Sequence, residues 1–263
     1  MRSVILAFLL LIACSNSSHA APPLRSEQAP PAPSATAPAP TTQPDTAPYA
    51  RVLRAYLHSD GRFDYAGLHG DEARMADLHA YVSSVGAARP EAWPRDEQLA
   101  FYLNAYNALV LLAVERRWPI DSVMHEDGFF DTDKYTVAGR EQTLNELETD
   151  VIRGRFHEPR IHFAVNCASL GCPRLWPTPF SARNLERELE RRTRVFVRAT
   201  TTVNREAGRV RVSKLFQWFA PDFGAAGGPG AFVARYLDPE DAAIARRVVI
   251  PDFASYDWAL NAP

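Results

Sequence analysis

The chain has 263 residues, 46% of them hydrophobic and 23% charged, with a formal net charge of −2. That is enough apolar sequence for one domain with a real core once an N-terminal extension is set aside. Near-neutral charge argues against nucleic acid as a partner, because electrostatic binding needs a basic face. Lysine occurs only at Lys134 and Lys214, and the many arginines are scattered among Asp and Glu.

Arg2 precedes an apolar run from Val4 to Ala13, too short to span a bilayer as a permanent helix. A positive start, a short apolar stretch and small residues after it predict an export signal within residues 1–20. Two cleavage sites compete. Leu11-Ile12-Ala13-Cys14 resembles a bacterial lipobox, with Cys14 lipidated as the first mature residue. Ser18-His19-Ala20 resembles an ordinary signal-peptidase site, which would discard Cys14. Ser15 after Cys14 resembles the outer-membrane sorting pattern of lipoproteins. Either way the expectation is an exported, periplasm-facing protein, touching the membrane only through a lipid anchor. Residues 21–48 are Pro, Ala, Thr and Ser with almost no large apolar side chain, and are expected to be a disordered linker.

The globular part is expected over residues 49–263. Val52, Leu53, Tyr56 and Leu57 recur at helical spacing, and Asp60-Gly61 ends that turn. Phe63-Asp64-Tyr65 reads as extended, and Asp71 as the cap of a helix to about Val85. A long helix is expected from about Asp96 until Pro119 stops it; its centre, Leu99 to Val114, is apolar nearly all round except at Asn104 and Asn107. Tyr135 to Thr143 reads as a hairpin, followed by a helix over Leu144–Arg153 with Asp150 and Arg153 outward. Ile161 to Val165 reads as a strand. Ser181 is the expected cap of an amphipathic helix to about Arg198, and Thr201–Asn204 with Arg209–Val212 form a second hairpin. Short helices follow at Lys214–Phe219, at Ala231–Leu237 and after Pro239, and Val248-Val249-Ile250 lies near the end. The sum is an α+β fold, a single helix-rich domain with small hairpins.

Chemistry concentrates in Arg160 to Leu175, R-I-H-F-A-V-N-C-A-S-L-G-C-P-R-L. Cys167 and Cys172 are separated by four residues, and an oxidising compartment favours pairing them. So short a loop gives only about 2 kcal/mol by chain entropy, so a disulfide would shape the loop more than hold the fold. The alternative is a nucleophilic Cys167 with His162 as its base. On a strand, His162, Ala164 and Asn166 would share one face and Cys167 the other, so direct pairing requires a turn at Asn166. Asn104 and Asn107 lie near one helical turn apart on an apolar helix, suited to bracing an irregular loop or orienting a base. Glu148, isolated among apolar neighbours, reads as a solvated face. The aromatics Trp218, Phe219, Phe223, Tyr256 and Trp258 fill core or line a groove. His157 and His162 fall on opposite strand faces, so no metal is expected, and Gly227 to Gly230 lacks the strand and Lys of a phosphate loop. No cofactor is expected.

Leu99-Ala100-Phe101-Tyr102-Leu103-Asn104-Ala105-Tyr106-Asn107-Ala108-Leu109 resembles the signature helix of the domain-of-unknown-function 547 family. So do Arg160 to Cys167 through Cys172-Pro173, Ser213 to Phe219 with Asp222-Phe223, and Tyr256 to Asn261, four motifs in order across most of residues 50–261. The resemblance implies that Asn104, Asn107, Glu148, Arg153, Arg160, His162, Asn166, Cys167, Ser169, Cys172 and Pro173 sit at family positions. Many relatives carry His directly after the position of Glu148; here it is Thr149, so no role for that His transfers. Two functions are expected. One is an envelope hydrolase or acyl transferase with Cys167 as nucleophile, His162 as base and Asn104 or Asn107 as orienting amide. The other is a non-enzymatic envelope binding module with a Cys167–Cys172 disulfide. The partner is then an envelope component or a small substrate.

Overall fold

Helix α4 (Arg95–Glu115) is the axis of the structure, and every residue from Leu99 to Val114 on it is buried. Asp96 and Glu97 in its first turn favour the positive helix end. A helix apolar all round must be covered on every side, and the neighbouring elements supply that cover. The computed structural model describes residues 43–248 and 251–263. The expected export signal, Cys14 and most of the expected linker lie outside the described residues, as do Val249 and Ile250.

The described residues form a helix-rich α+β domain with two small sheets. Helix α1 (Ala47–Tyr56) begins within the span read as linker, two residues before the expected domain start at Tyr49. It packs on α3 (Glu72–Ala87), whose Asp71 cap accepts from the Arg74 amide at 3.0 Å. Between them, α2 (Tyr65–His69) follows a one-residue bridge from Leu57 to Phe63. Strands β1 (Tyr135–Val137) and β2 (Arg140–Gln142) pair antiparallel with Tyr135 opposite Gln142. Their turn docks on the end of α3, where Ala138 and Gly139 donate to the carbonyls of Val85 and Gly86 at 3.0 and 2.8 Å.

The helix expected over Leu144–Arg153 is not uniform. It opens as α5 (Leu144–Glu146), capped reciprocally by Thr143 and Glu146. It then widens to a π-helical segment, Leu147–Arg153, before the short α6 (Gly154–Phe156).

Residues 161–165 are not a strand. Pro159–Phe163 is a 3₁₀ turn, with Pro159 at its start and the Glu158 carboxylate accepting from the Arg160 amide at 3.0 Å. Three residues per turn send three consecutive side chains in three directions. Ile161 enters the core around α4, and Phe163 enters a second core with Phe196, Phe216, Phe223 and Phe232. His162 points between them. A strand would have put Ile161 and Phe163 on one face and left one core unfilled.

Helix α7 (Leu185–Thr200) starts later than expected. Asn184 stands at its cap position, and Ser181 instead donates its amide to the Asn184 side chain at 2.8 Å. Strands β3 (Thr202–Asn204) and β4 (Arg209–Val212) form the second hairpin, and β5 (Asp252–Phe253) adds in parallel beside β4. Helix α8 (Leu215–Trp218), a 3₁₀ stretch at Ala220–Ala226, α9 (Gly228–Val233) and α10 (Pro239–Ala245) complete the second core. Helix α9 begins at Gly228, three residues before the expected start. Among the described residues, no helix is long and apolar enough to cross a membrane.

Candidate functional site

The Cys loop has no regular hydrogen-bond ladder of its own, so other segments supply its partners. Asn107 on α4 grips it twice: its amide donates to the Ala164 carbonyl at 2.9 Å and accepts from the Asn166 amide at 2.8 Å. Asn104 makes the same paired grip elsewhere, on the amide and carbonyl of Phe180 at 2.8 Å each. Both side chains spend their amides on backbone. Within the loop, Asn166 donates to the Pro173 carbonyl and accepts from the Ala168 amide, at 2.8 and 2.9 Å. The C-terminal tail lies alongside: Leu170 and Gly171 donate to the carbonyls of Ala259 and Asp257 at 2.8 Å. Gly171 is required there, because a Cβ would stand 2.9 Å from the Tyr256 ring.

The sulfurs of Cys167 and Cys172 are at disulfide-bonding distance, with their Cα atoms 6.1 Å apart. The Cys167 amide donates to Cys172 Sγ at 2.9 Å. Cys167 Sγ also touches the hydroxyls of Ser169 at 3.1 Å and Tyr256 at 3.3 Å. Burial pushes the Tyr256 phenol up to about 12, so it stays protonated at neutral pH.

His162 does not face the sulfur through a bond of its own. Its Nε2 lies 2.7 Å from Asp222 Oδ2, in the 3₁₀ stretch after α8. Asp222 is held in turn by Arg153 of the π segment, at 2.8 and 3.2 Å. Hydrogen bonding to His162, then the bonds and charge of Arg153, hold the Asp222 carboxyl well below the usual carboxylate range, against its partial burial. An ionised carboxylate only accepts, so Nε2 carries the proton of this bond and Nδ1 is the ring's other nitrogen. That Nδ1 is buried and has no hydrogen-bond partner among the described residues. Phe219 stacks on the imidazole at 4.1 Å between centroids.

These side chains line one pocket of about 160 Å³. Its polar members include Glu148, His162, Tyr106 and Tyr256; the cysteines form part of its wall, and Met124, Phe130, Trp218 and Trp258 supply apolar surface. Met124 and Trp218 remain 53% and 41% exposed, which puts them at the mouth. Trp258 lies 5.6 Å from Trp218 and 4.5 Å from Tyr256, ring centre to ring centre. A larger, open groove of about 610 Å³ shares Cys172, Pro173 and Tyr256 with it as a dividing wall.

Two expectations for the π segment are corrected. Glu148 is not on a solvated face: it is half-buried and lines the pocket with Tyr106. Burial raises its pKa, opposed by His162, by the Tyr106 hydrogen bond and by Arg153. Nor does Arg153 face outward, because Asp222 holds it. The wider π turn re-aims side chains relative to an α-helix, and such segments recur at functional sites. Of the residues put forward for a site, His162, Cys167 and Cys172 meet at the pocket. Asn107 supports the loop from below, and Asn104 acts on Phe180. Asp222, the orienting group, was placed only by its motif with Phe223. Among the described residues, no His, Cys, Asp and Glu group is arranged to hold a metal ion.

The architecture is thus an α+β domain with an aromatic-rimmed pocket backed by a cysteine loop. Residues 90–197 match the family described as Protein of unknown function, DUF547. The match is shorter than the span over which the four motifs resemble the family; it contains Glu148, Arg153, His162 and both loop cysteines, and it ends before Asp222. No curated protein matches the chain, and no solved structure does.

Proposed function

We propose that the chain is an exported, lipid-tethered protein of the bacterial envelope whose domain binds a small ligand in the aromatic-rimmed pocket, with Cys167–Cys172 as a structural bridge in the pocket wall. One observation carries the binding reading: the cysteine pair sits at bonding distance in that wall, while Nε2 of His162 is engaged by Asp222. A bridged Cys167 is no nucleophile, and an oxidising compartment keeps it bridged. The N-terminal Arg2, the short apolar run and Cys14 support export and the tether.

Alkylation of the non-reduced protein in denaturant, followed by peptide mapping, tests the bridge. Cys167 and Cys172 are labelled only after reduction if it exists. A labelled Cys167 beside an unreactive Cys172 sinks the bridge and favours the second reading, a thiol hydrolase or acyl transferase. That reading has its own support, because Cys167 shares the pocket with His162 and contacts two hydroxyls. For the tether, Cys14→Ser moves the protein from the membrane to the soluble fraction. Unchanged membrane association defeats it.

A further inference from the structure

We infer that Arg174 and Arg191, gathered on the ring of Trp176, hold the phosphate group of a phosphate ester in a second groove of the domain. That groove, about 300 Å³, shares no lining residue with the aromatic-rimmed pocket, so the two sites stand or fall separately. The guanidinium carbons of Arg174 and Arg191 each lie 4.0 Å from the centre of the Trp176 ring, and that of Arg192 lies 5.9 Å from it. Arg174 and Arg191 therefore stand no further apart than twice the first distance, close enough for the oxygens of one phosphate to meet both.

The charges there do not balance. Among the described residues, no Asp or Glu lines the groove, whereas Arg174, Arg191 and His58 do. Arg174 has no carboxylate partner among the described residues; its guanidinium donates to the Ser59 carbonyl at 3.2 Å. Arg191 pairs with Glu188, but that one carboxylate also serves Arg187 at 3.5 Å and Arg192 at 3.6 Å. Asp60 and Asp257 line the larger neighbouring groove, which shares Arg174 and Trp176, and Asp60 is already 3.7 Å from Arg62. In a chain of net charge −2, cations gathered this closely repel one another, and an anion seated among them offsets that repulsion.

The groups are also held in place before any ligand arrives. Gly61 packs so tightly on Arg174 that a Cβ there would stand 2.5 Å from the Arg174 Cβ. The backbone beyond Trp176 is pinned at three successive residues. Arg192 donates to the Thr178 carbonyl at 2.9 Å, Asn184 to the Pro179 carbonyl at 3.0 Å, and Asn104 bonds both backbone groups of Phe180. A site fixed in this way loses little freedom on binding. Guanidinium groups present planar forks that match the oxygens of phosphate. A carboxylate has two oxygens and fills one fork, whereas the phosphate of a monoester has three free oxygens and can engage two. The same group could come from a soluble phosphate ester or from the headgroup of an anionic phospholipid.

The test uses the full chain carrying Cys14→Ser, so that no lipid tether contributes. It is titrated calorimetrically with glycerol 3-phosphate, and floated with phosphatidylcholine vesicles with and without phosphatidylglycerol. Saturable heat is expected with the soluble ester, and Arg174→Gln and Arg191→Gln should each weaken it about tenfold or more, the loss of one charged hydrogen-bonding group. Arg205→Gln, which removes a cation from the second hairpin instead, should leave affinity unchanged. Arg174→Lys keeps the charge without the fork and should give an intermediate loss, which reads the site even if Arg174→Gln fails to fold. Heat without flotation assigns the phosphate to a soluble ester. Flotation only on phosphatidylglycerol vesicles, abolished by Arg174→Gln, assigns it to a headgroup. Neither heat nor flotation, or undiminished binding in both Arg174→Gln and Arg191→Gln, overturns the inference and leaves the aromatic-rimmed pocket untouched.

Discussion

Arg153 and Asp222 lie 69 residues apart and meet through two hydrogen bonds, at 2.8 and 3.2 Å. One end is on the π segment beneath α4, and the other on the turn that leads into the second core. The pair therefore ties the family-matched segment to the part of the chain beyond it, and His162 sits on the joint.

Removing one partner leaves the other charge half-buried. Arg153→Ala or Asp222→Ala is expected to lower stability by about 1–3 kcal/mol, discounted from a fully buried pair because water reaches both side chains. Urea unfolding checks it, and loss of a few tenths of a kcal/mol would contradict the tie.

The same pair sets a pH dependence. The Asp222 carboxyl is depressed in the folded protein, first by His162 and then by Arg153. A depressed carboxyl contributes stability above its unfolded value, about 3.9, and that contribution is lost as pH falls below it toward the folded value. Wild type is therefore expected to lose stability more steeply than Asp222→Asn below about pH 4. Parallel acid profiles would remove Asp222 from the account.

Asn107 and Asn104 each make two hydrogen bonds to backbone, Asn107 to Ala164 and Asn166 and Asn104 to Phe180 alone, so their alanine variants separate. Each is expected to cost about 2–4 kcal/mol, because two buried backbone groups lose their partners. Only Asn107→Ala is expected to speed amide exchange at Asn166 and in the Cys loop. Asn104→Ala acts at Phe180. Equal loop exchange in both variants would contradict this division.

Gly171→Ala places a methyl 2.9 Å from the Tyr256 ring. The expected outcome is a loss of about 1–3 kcal/mol from overpacking, with weaker ligand binding because Tyr256 lines the pocket. Thermal melting and fluorescence titration measure the two effects. Reduction of the Cys167–Cys172 bridge should cost less, about 2 kcal/mol, because the loop it closes is short.

Much of the fold was legible in the chain, because local chemistry decides it. Asp71 caps α3, alternating residues form both hairpins, and Leu99 to Val114 could only be an enclosed helix. The Thr143-x-x-Glu146 capping box that starts α5 is likewise a local signal. Local pattern failed at 161–165: β-branched and aromatic residues favour a strand, but Pro159 and the need to fill two cores select a 3₁₀ turn.

By itself, the sequence determined the helix-rich α+β class and the stretch where the cysteines and His162 lie. Tertiary structure alone decided their partners. His162 meets Asp222 across 60 positions, Arg153 turns inward, and Glu148 lines the pocket. Helical periodicity and capping act over a few residues, so they can be read along the chain. The orientation of a buried polar side chain depends on neighbours brought together by core packing, and no local pattern encodes that meeting.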